Sequence, residues 1–315
     1  MRAIVFDQTL KFCTDTALRS PGSDEVIVDI LQAGICETDL QLCKGYMGFC
    51  GTLGHEFVGI ARLGRFAGQR VVGEINCACH ACEMCQRQLS NHCPNRTVIG
   101  IVAHDGAFAD SVIVPDRNLH AVPDHVSDAE AVFVEPLAAA CRIAEQIPLT
   151  GGEVVTVLGD GRLGNLCAQV LRHQGCQVCV VGKHDFKLGI LQRLDIPTIR
   201  LEDLRPRRDS DIVVDCTGSP TGLAHALQLV RPCGTIVLKT TVAADQTLHM
   251  APFVIDEITL LGSRCGPFAD AIELLSQGAI SVAPLLTATY PLEAATHAFE
   301  HAVRKDALEV LFDVR

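Results

Sequence analysis

The sequence lacks an excess of basic residues. Its 315 residues include 26 lysines and arginines against 37 aspartates and glutamates, which gives a formal net charge of −11. Proteins that bind nucleic acid replace phosphate counterions with clustered Lys and Arg side chains, so this balance argues against a nucleic-acid partner. A small molecule is the expected partner.

The sequence also lacks a long apolar run. No stretch approaches the ~20 apolar residues that a membrane helix needs. Residues 1–7 (MRAIVFD) have the pattern of a strand and lack the long apolar region and cleavage site of a signal peptide. We therefore expect a cytoplasmic protein without membrane contact.

Internal repeats and low-complexity linkers are absent as well. Because 48% of the residues are hydrophobic, disorder is excluded as the main state. A chain of 315 residues is long enough for two domains, each with its own core. The sixteen cysteines, in a chain of this length without a signal, favour free thiols and metal ligands over disulfides.

Two short N-terminal segments carry metal-binding residue types. Residues 34–39 (GICETD) contain Cys36, and residues 54–56 (GHE) contain His55 and Glu56. Zinc binds sulfur, nitrogen and oxygen donors, and a catalytic zinc keeps one position open for water or substrate. Taken alone, the pattern fits equally well a buried cysteine and a turn with a solvated acid.

Four closely spaced cysteines give a stronger metal signal. The gaps between them are two, two and seven residues, and the members are Cys79, Cys82, Cys85 and Cys93. Four such thiolates predict a closed tetrahedral zinc site that stabilises a loop and leaves no position for chemistry. Ferredoxins share the two short gaps and a final Cys-Pro, but their last gap is three residues, so the seven-residue gap favours zinc over an iron–sulfur cluster.

The periodicity of the chain changes near residue 152. Residues 1 to about 60 alternate apolar and polar positions, which predicts antiparallel strands, whereas residues 154–158 (VVTVL) are typical of a parallel strand buried on both faces. The segment GDGRLG follows directly and leads into a helical stretch and a second apolar strand. In this context it predicts a dinucleotide site. Its candidate contact residues are Gly159, Gly161, Arg162, Leu163 and Gly164.

Two later strands are predicted at residues 212–216 and 234–238. Strand ends line the ligand crevice of a parallel sheet, so the residues that follow, Thr217 and Thr240, are candidates for the nicotinamide side of the site. A simple role in a turn is the equal alternative.

Together these motifs resemble the zinc-dependent alcohol dehydrogenases of the medium-chain dehydrogenase/reductase family. The resemblance extends over the whole chain and rests on residues 34–39, on GHEFVG at 54–59, on the four cysteines and on VEPLA at 134–138. It is greatest for the polyol and threonine dehydrogenase branch, in which a glutamate, here Glu135, stands where typical members have a second catalytic cysteine. The chain departs from the family at Glu37 and Gln88, where glycine is usual, and in a shortened segment after Gly59.

The resemblance implies an α/β fold, with a Rossmann doubly wound parallel sheet domain and a mainly β, GroES-like catalytic domain. The implied boundaries are 1–137 for the zinc-binding catalytic domain, 138–266 for the Rossmann domain and 267–315 for the return to the catalytic domain. A homodimer or homotetramer is expected.

The implied activity is hydride transfer between NAD or NADP and a secondary alcohol, polyol, sugar or the matching carbonyl, with two zinc ions per chain. Cys36 and His55 are expected as fixed ligands of the catalytic zinc. Glu56 and Glu135 are expected either on this metal or behind its ligands. The alternative is a zinc- and nucleotide-binding protein without turnover, which would not need Cys36, His55 and Glu135 together.

Two further residues near Cys36 have implied roles. Thr38 is expected to pass the substrate proton outward, which requires a hydroxyl within hydrogen-bond reach of the reacting oxygen. Asp39 is expected to orient a metal ligand, as carboxylates behind metal-binding histidines do.

The choice of cofactor depends on the end of the second Rossmann strand. An acidic residue there normally binds the ribose 2′-hydroxyl of NAD, but this chain has Gly182. Because Lys183, His184 and Lys187 follow, we expect no carboxylate to repel a 2′-phosphate and several cations to attract one, which favours NADP. The alternative ribose ligand is Asp185, although its place before a predicted helix suits an N-cap.

Overall fold

The computed structural model describes residues 1–240 and 249–315, and these form two compact units. Unit 1 comprises Met1–Glu135, Leu275–Gln277 and Leu286–Arg315, and unit 2 comprises Pro136–Leu274 and Gly278–Leu285. Unit 1 is therefore discontinuous in sequence. The domain boundaries after residues 137 and 266 remain predictions.

Short strands dominate the N-terminal part of unit 1. Their bounds are β1 Ala3–Asp7, β2 Thr9–Cys13, β3 Glu25–Gly34, β4 Gly51–Thr52, β5 Glu56–Ala61, β6 Arg70–Gly73, β7 Asn76–Cys77, β8 Thr97–Val98, β9 Ser111–Pro115 and β10 Leu119–Ala121. Buried and partly exposed side chains alternate along most of β3, since successive side chains of a strand point to opposite faces. β3 pairs antiparallel with β5 and β9, which confirms the antiparallel prediction for this part of the chain.

Unit 2 contains a parallel sheet. Its strands are β11 Val154–Leu158, β12 Gln177–Gly182, β13 Thr198–Arg200, β14 Ser210–Asp215, β15 Val230–Leu238 and β16 Thr259–Gly262. The described strands lie in the order β13-β12-β11-β14-β15-β16, which is the Rossmann order. Val155, Val157 and Val180 are fully buried, in agreement with the predicted apolar strands. In this order a ligand crevice is expected at the carboxyl ends of β11 and β14.

The helices are short. Their bounds are α1 Glu37–Leu42, α2 Glu83–Gln86, α3 Asp128–Ala131, α4 Val134–Gln146, α5 Arg162–His173, α6 Asp185–Gln192, α7 Gly222–Leu229, α8 Ala251–Ile255, α9 Phe268–Ser276 and α10 Ala295–Ala302. α4 accommodates Pro136 because the first turn of a helix has amide groups without intrahelical partners. Over residues 1–240 and 249–315, none of the helices has the length and apolar character required to cross a membrane.

The C-terminal strands return to unit 1. β17 Leu286–Pro291 pairs parallel with β18 Glu309–Asp313, and β18 pairs antiparallel with β3. The implied return segment, residues 267–315, includes α9, and the residues of α9 up to Leu274 belong to unit 2. A Cβ added at Gly266 would lie 2.0 Å from the carbonyl oxygen of Ala138 in α4, so the backbone just before α9 packs closely on α4.

Phenylalanine rings fill the core of unit 1. Phe108 packs edge-to-face on Phe312 with a centroid distance of 5.0 Å, and on Phe299 with a centroid distance of 6.1 Å. Phe108 and Phe312 are fully buried. These contacts connect the N-terminal strands with the C-terminal return and thereby fix the frame that carries the first metal-binding set.

Candidate active site and metal centres

The first metal-binding set consists of Cys36, His55 and Glu56. Their donor atoms all lie within 4.8 Å of one another. Cys36 is the N-cap of α1, His55 precedes β5, and Glu56 is the first residue of β5. His55 and Glu56 are almost entirely buried. The set therefore brings a sulfur, a nitrogen and an oxygen donor together in the interior of unit 1.

Gly54 lies directly before the two neighbouring members of this set. Successive residues of an extended strand point to opposite faces, yet His55 and Glu56 place donor atoms within 4.8 Å of one another where β5 begins. Gly54 has φ +97°, and an added Cβ would lie 2.4 Å from Cδ1 of Phe108. Both constraints require glycine at this position.

The carboxylate of Asp39 connects the two sides of the set. Its Oδ2 accepts the Cys36 amide at 2.9 Å, and its Oδ1 accepts the Gly54 amide at 3.3 Å. Oδ1 also lies 3.4 Å from Nδ1 of His55. Asp39 is fully buried, so these contacts fix the positions of Cys36 and His55 relative to one another.

The electrostatics of the set favour a cation. Burial opposes protonation of His55, but the Asp39 carboxylate, together with the Cys36 thiol, raises the pKa of His55 well above its ordinary value. The buried His55 Nδ1 makes no hydrogen bond, although it faces Asp39. With Nδ1 facing a carboxylate, Nε2 is the ring nitrogen left for a metal, which is the usual arrangement around zinc. The donor set and its charge therefore fit zinc.

Thr38 and Glu135 lie differently relative to this set. The Oγ1 atom of Thr38 is 3.8 Å from Sγ of Cys36, which places the hydroxyl beside the donor atoms. Glu135 is in the first turn of α4 and is half-buried. Its carboxylate is not among the donors that lie within 4.8 Å of each other. Its place on the metal therefore remains a prediction.

The second set consists of the four clustered cysteines. Their sulfur atoms lie within 4.8 Å of one another, and three of the distances are 3.4 Å between Cys79 and Cys93, 3.5 Å between Cys82 and Cys85, and 3.8 Å between Cys82 and Cys93. Four sulfurs at the zinc–thiolate bond length define a tetrahedron with edges of about 3.8 Å. In an iron–sulfur cluster the four thiolates are distributed over two or four iron atoms, so the sulfurs on different irons would lie farther apart. The spacing fits a single zinc ion.

The thiols of this set differ in their ease of ionisation. Backbone amides of Ala81 and Cys82 donate to Cys79 and lower its pKa to about 6. Desolvation and the neighbouring thiol of Cys82 raise the pKa of Cys85 to about 12. The two shifts therefore have different causes, because backbone amides stabilise the Cys79 thiolate whereas desolvation opposes ionisation of Cys85. A divalent cation bound to the four sulfurs would favour the thiolate form of each.

The turn between β11 and α5 has the geometry of a dinucleotide site. Gly159 has φ +114°, and an added Cβ there would lie 2.6 Å from the carbonyl oxygen of Cys216. A Cβ at Gly164 would lie 2.1 Å from the carbonyl oxygen of Gly159. Gly161 is the N-cap of α5, and Arg162 and Leu163 form its first turn. Strand, turn and helix therefore pack as closely as the motif requires.

At the end of β12 the structure differs from the sequence expectation. Gly182 is the last residue of this strand, and a Cβ added there would lie 2.5 Å from both Cβ and Oδ2 of Asp160. A carboxylate is therefore present beside Gly182, contrary to the expectation that none is available. This carboxylate belongs to Asp160 in the glycine-rich turn, so the residues at the end of β12 did not predict it. Of the predicted cations, Lys183 is exposed, His184 is half-buried and Lys187 is buried.

Thr217 and Thr240 are joined through Asp215. Oδ1 of Asp215 accepts the Thr217 hydroxyl at 2.7 Å and the Thr240 hydroxyl at 3.1 Å. Thr217 in turn accepts the Ser219 amide, and Thr240 accepts the Gly218 amide. These bonds support the turn role for both residues.

Comparison with known proteins identifies the family. The family model described as "Alcohol dehydrogenase GroES-like domain" matches residues 22–124, and that described as "Zinc-binding dehydrogenase" matches residues 163–277. The chain belongs to the zinc-dependent alcohol dehydrogenases of the medium-chain family. This dehydrogenase combines a GroES-like and a Rossmann-type domain and acts on CH–OH groups.

Several relatives of this dehydrogenase have names that state a polyol or sugar-acid substrate. It is 28% identical to a sorbitol dehydrogenase of Halalkalibacterium halodurans, over 93% of this chain and 92% of that protein. It is 28% identical to a 2-dehydro-3-deoxy-L-galactonate 5-dehydrogenase of Pseudoalteromonas atlantica, over 87% of this chain and 86% of that protein. The solved structure of the alcohol dehydrogenase TADH from Thermus sp. ATN1 is 28% identical and has a TM-score of 0.92, with full coverage of both chains.

The sequence did not predict the positions of two acidic residues, one beside the candidate dinucleotide site and one beside the first metal-binding set. One is Asp160, the second residue of the GDGRLG segment. The other is Glu309 in β18, which is almost fully buried; a Cβ at Gly34 would lie 2.7 Å from Oε1 of Glu309 and 3.1 Å from Oε2 of Glu56. The sequence indicates the special position of Glu309 only through its place as an acidic residue in an apolar terminal strand. Its proximity to Glu56 depends on the pairing of β18 with β3 and was not predictable.

Asp39→Asn tests the connecting role of Asp39 in the dehydrogenase. The amide keeps the size of the side chain but has one acceptor oxygen instead of two and no charge beside His55. Because loss of such an outer partner typically costs 10–100-fold in metal affinity or activity, we expect turnover to fall about 10- to 100-fold. Zinc content and steady-state kinetics measure this, and Asp39→Asn with wild-type zinc affinity and turnover would contradict it.

Proposed function

We propose that this dehydrogenase transfers hydride between a nicotinamide dinucleotide and the secondary alcohol of a polyol or sugar acid, or the matching carbonyl. The observation that carries the proposal is the set of half-buried Cys36 with buried His55 and Glu56, and the Thr38 hydroxyl beside it. A closed structural site would need no hydroxyl there and would use four protein ligands, whereas a catalytic zinc site uses three and leaves one position open.

Two zinc ions per chain follow from the two donor sets. Cys36 and His55 would hold the catalytic ion, with Glu56 and Glu135 either on it or behind its ligands. When bound, zinc acts as a Lewis acid that lowers the pKa of the substrate hydroxyl without changing its own oxidation state. The structural ion would be held by Cys79, Cys82, Cys85 and Cys93 and would stabilise the loop that contains α2.

Residues around the set have distinct tasks in this proposal. Thr38 receives the proton that leaves the substrate hydroxyl and passes it outward, because its own hydroxyl can donate and accept at once. Asp39 keeps Cys36 and His55 at a fixed separation through its bonds to the amides of Cys36 and Gly54. Neither role changes the charge of the buried site permanently, which suits a reversible reaction.

The dinucleotide is proposed to bind at the turn that contains Gly159, Gly161 and Gly164, with the pyrophosphate at the N terminus of α5. Arg162 and Leu163 would lie beside it, and Thr217 and Thr240, which follow the carboxyl ends of β14 and β15, would line the crevice. In the sequence, Lys183 after β12 and Lys187 in α6 favour NADP, whereas the Asp160 carboxylate disfavours a phosphate.

A homodimer or homotetramer is proposed as the assembly. β16 lies at one edge of the described parallel sheet and exposes Leu260. Val254 and Ile255 in the nearby α8 segment are each 77% exposed. Apolar side chains beside a sheet edge are typical of a surface that another chain covers, and sedimentation equilibrium measures the mass directly.

A substrate panel tests the proposed reaction. We expect turnover with a secondary alcohol of a polyol or sugar acid, at kcat/KM values at least about 100-fold above those for ethanol, since a site that hydrogen-bonds several hydroxyls rejects analogues that lack them. The panel should contain sorbitol, xylitol, L-threonine, L-galactonate and ethanol, each with NAD and NADP. Absence of turnover with every polyol and sugar acid, or a preference for ethanol, would reject the proposed substrate class.

A further inference from the structure

The carboxylate of Asp160 occupies the space that a side chain at the end of β12 would fill. A Cβ added at Gly182 would meet Cβ of Asp160 at 2.5 Å and its Oδ2 at the same distance. In Rossmann folds the acidic residue that reads the adenosine ribose projects from this strand end. Here the strand provides only backbone, and the carboxylate reaches the same place from the glycine-rich turn.

Hydrogen bonds hold this carboxylate in one orientation. Oδ2 of Asp160 accepts the amides of Lys183 at 2.6 Å and His184 at 2.7 Å. Nδ1 of the His184 ring lies 3.1 Å from both Oδ1 and Oδ2, and Asp160 is 7% exposed. Each carboxylate oxygen can accept two hydrogen bonds. Oδ1 therefore retains capacity for a further donor such as a ribose hydroxyl.

We propose that Asp160 accepts the 2′-hydroxyl of the adenosine ribose and that this dehydrogenase consequently prefers NAD to NADP. The inference rests on the proposed dinucleotide site and adds which residue of that site distinguishes NAD from NADP. An Asp160 carboxylate fixed by two backbone amides cannot move away from a 2′-phosphate, which carries about −1.5 to −2 charges at neutral pH. Phosphate and carboxylate would then share one small, poorly solvated space, where like charges repel strongly.

The cations that favoured NADP do not offset this effect. Lys183 is exposed, and its backbone amide is directed at Asp160 rather than towards an incoming phosphate. A solvated lysine attracts a phosphate weakly because water screens the pair. Lys187 in α6 is 8% exposed and already has an interaction partner within the fold, so its ammonium group is engaged before a cofactor binds. His184 already contacts Asp160 through its ring.

Asp185 is a poorer ribose ligand than Asp160. It is the first residue of α6, with His184 and not Asp185 as the N-cap, which corrects the N-cap prediction. Its side chain is 83% exposed and forms an ion pair with Arg200 at 2.7 Å. A solvated, paired carboxylate contributes little to discrimination. Asp185 is therefore a matched control for Asp160.

The experiment measures binding of NADH and NADPH to the zinc-loaded dehydrogenase by fluorescence titration, for wild type, Asp160→Asn and Asp185→Asn. We expect wild type to bind NADH at least about ten-fold more tightly than NADPH, since a hydrogen bond to a charged group contributes about this factor and repulsion adds to it. Asp160→Asn should reduce the ratio by about ten-fold or more. Asp185→Asn should leave it unchanged. Gly182→Asp is unsuitable because the new side chain would collide with Asp160.

A probe of wild type alone makes the test independent of the folding of any variant. ADP-ribose should bind at least about ten-fold more tightly than its 2′-deoxy analogue, because only ADP-ribose offers the hydroxyl to Asp160. Preference of wild type for NADPH, equal binding of the two ADP-riboses, or an unchanged ratio in folded Asp160→Asn would each overturn the inference. If wild type binds neither dinucleotide, the proposed function itself fails.

Discussion

His55→Ala is expected to lower kcat by about a thousand-fold or more while leaving dinucleotide binding nearly unchanged. The substitution removes the nitrogen donor from the first metal-binding set and leaves Asp39 facing a cavity. Loss of Lewis-acid stabilisation costs several kcal/mol in the transition state, which corresponds to this factor. The candidate dinucleotide turn lies in unit 2, whereas His55 lies in unit 1, so the two effects are separable.

The measurement combines turnover with the best panel substrate and fluorescence titration with NADH. His297→Ala is the matched control, because His297 is an exposed histidine on α10 of the same unit and is expected to leave turnover unchanged. A folded His55→Ala variant with near-normal turnover would rule out catalysis at this set. Loss of dinucleotide binding together with turnover would show that His55 acts through the fold and not through the metal.

Cys85→Ser is expected to remove one zinc ion per chain and to lower the free energy of unfolding by at least about 3 kcal/mol. A closed site contributes its binding free energy directly to folding, and that contribution is lost when one of the four thiolate ligands is removed. The rest of unit 1 has its own phenylalanine core, so we expect a destabilised but folded chain at low temperature. Metal analysis and urea unfolding measure the two quantities.

Cys77→Ser is the control for Cys85→Ser. Cys77 precedes the cluster but is not a member of the four-sulfur set, and burial raises the pKa of its thiol to about 11. It should keep its zinc and lose about 1 kcal/mol or less. Equal zinc loss from both variants would show that the ligand assignment is wrong, and a full zinc complement in Cys85→Ser would show that the set holds no metal.

Much of the fold was predictable because its signals are local. Short runs of consecutive residues predict the apolar strands β11 and β12 and the glycine-rich turn that follows β11, because such runs have few structural alternatives. The four cysteines are equally local, since α2 and its flanking turns bring sulfurs at short spacing together. The convergence of His55 and Glu56 was left open from sequence, and in the structure their donor atoms lie within 4.8 Å of one another where β5 begins.

The unpredicted features depend on contacts between distant segments. Asp160 reaches the end of β12 only because β11 and β12 are neighbouring parallel strands, which aligns Leu158 with Val181. Glu309 approaches Glu56 because β18 and β5 both pair with β3. The backbone just before α9 packs closely on α4, at Gly266 and Ala138. The spacing of residues along the chain does not predict any of these contacts.

Stepwise zinc reconstitution of the metal-free protein tests the central claim most directly. Turnover with the best panel substrate is measured against zinc bound per chain, with bound metal determined by mass spectrometry. We expect full turnover only at two zinc ions per chain, and a His55→Ala preparation that stops at one ion and stays inactive. Full turnover at a single bound zinc ion, or a protein that is active with iron in the four-cysteine set, would contradict the account.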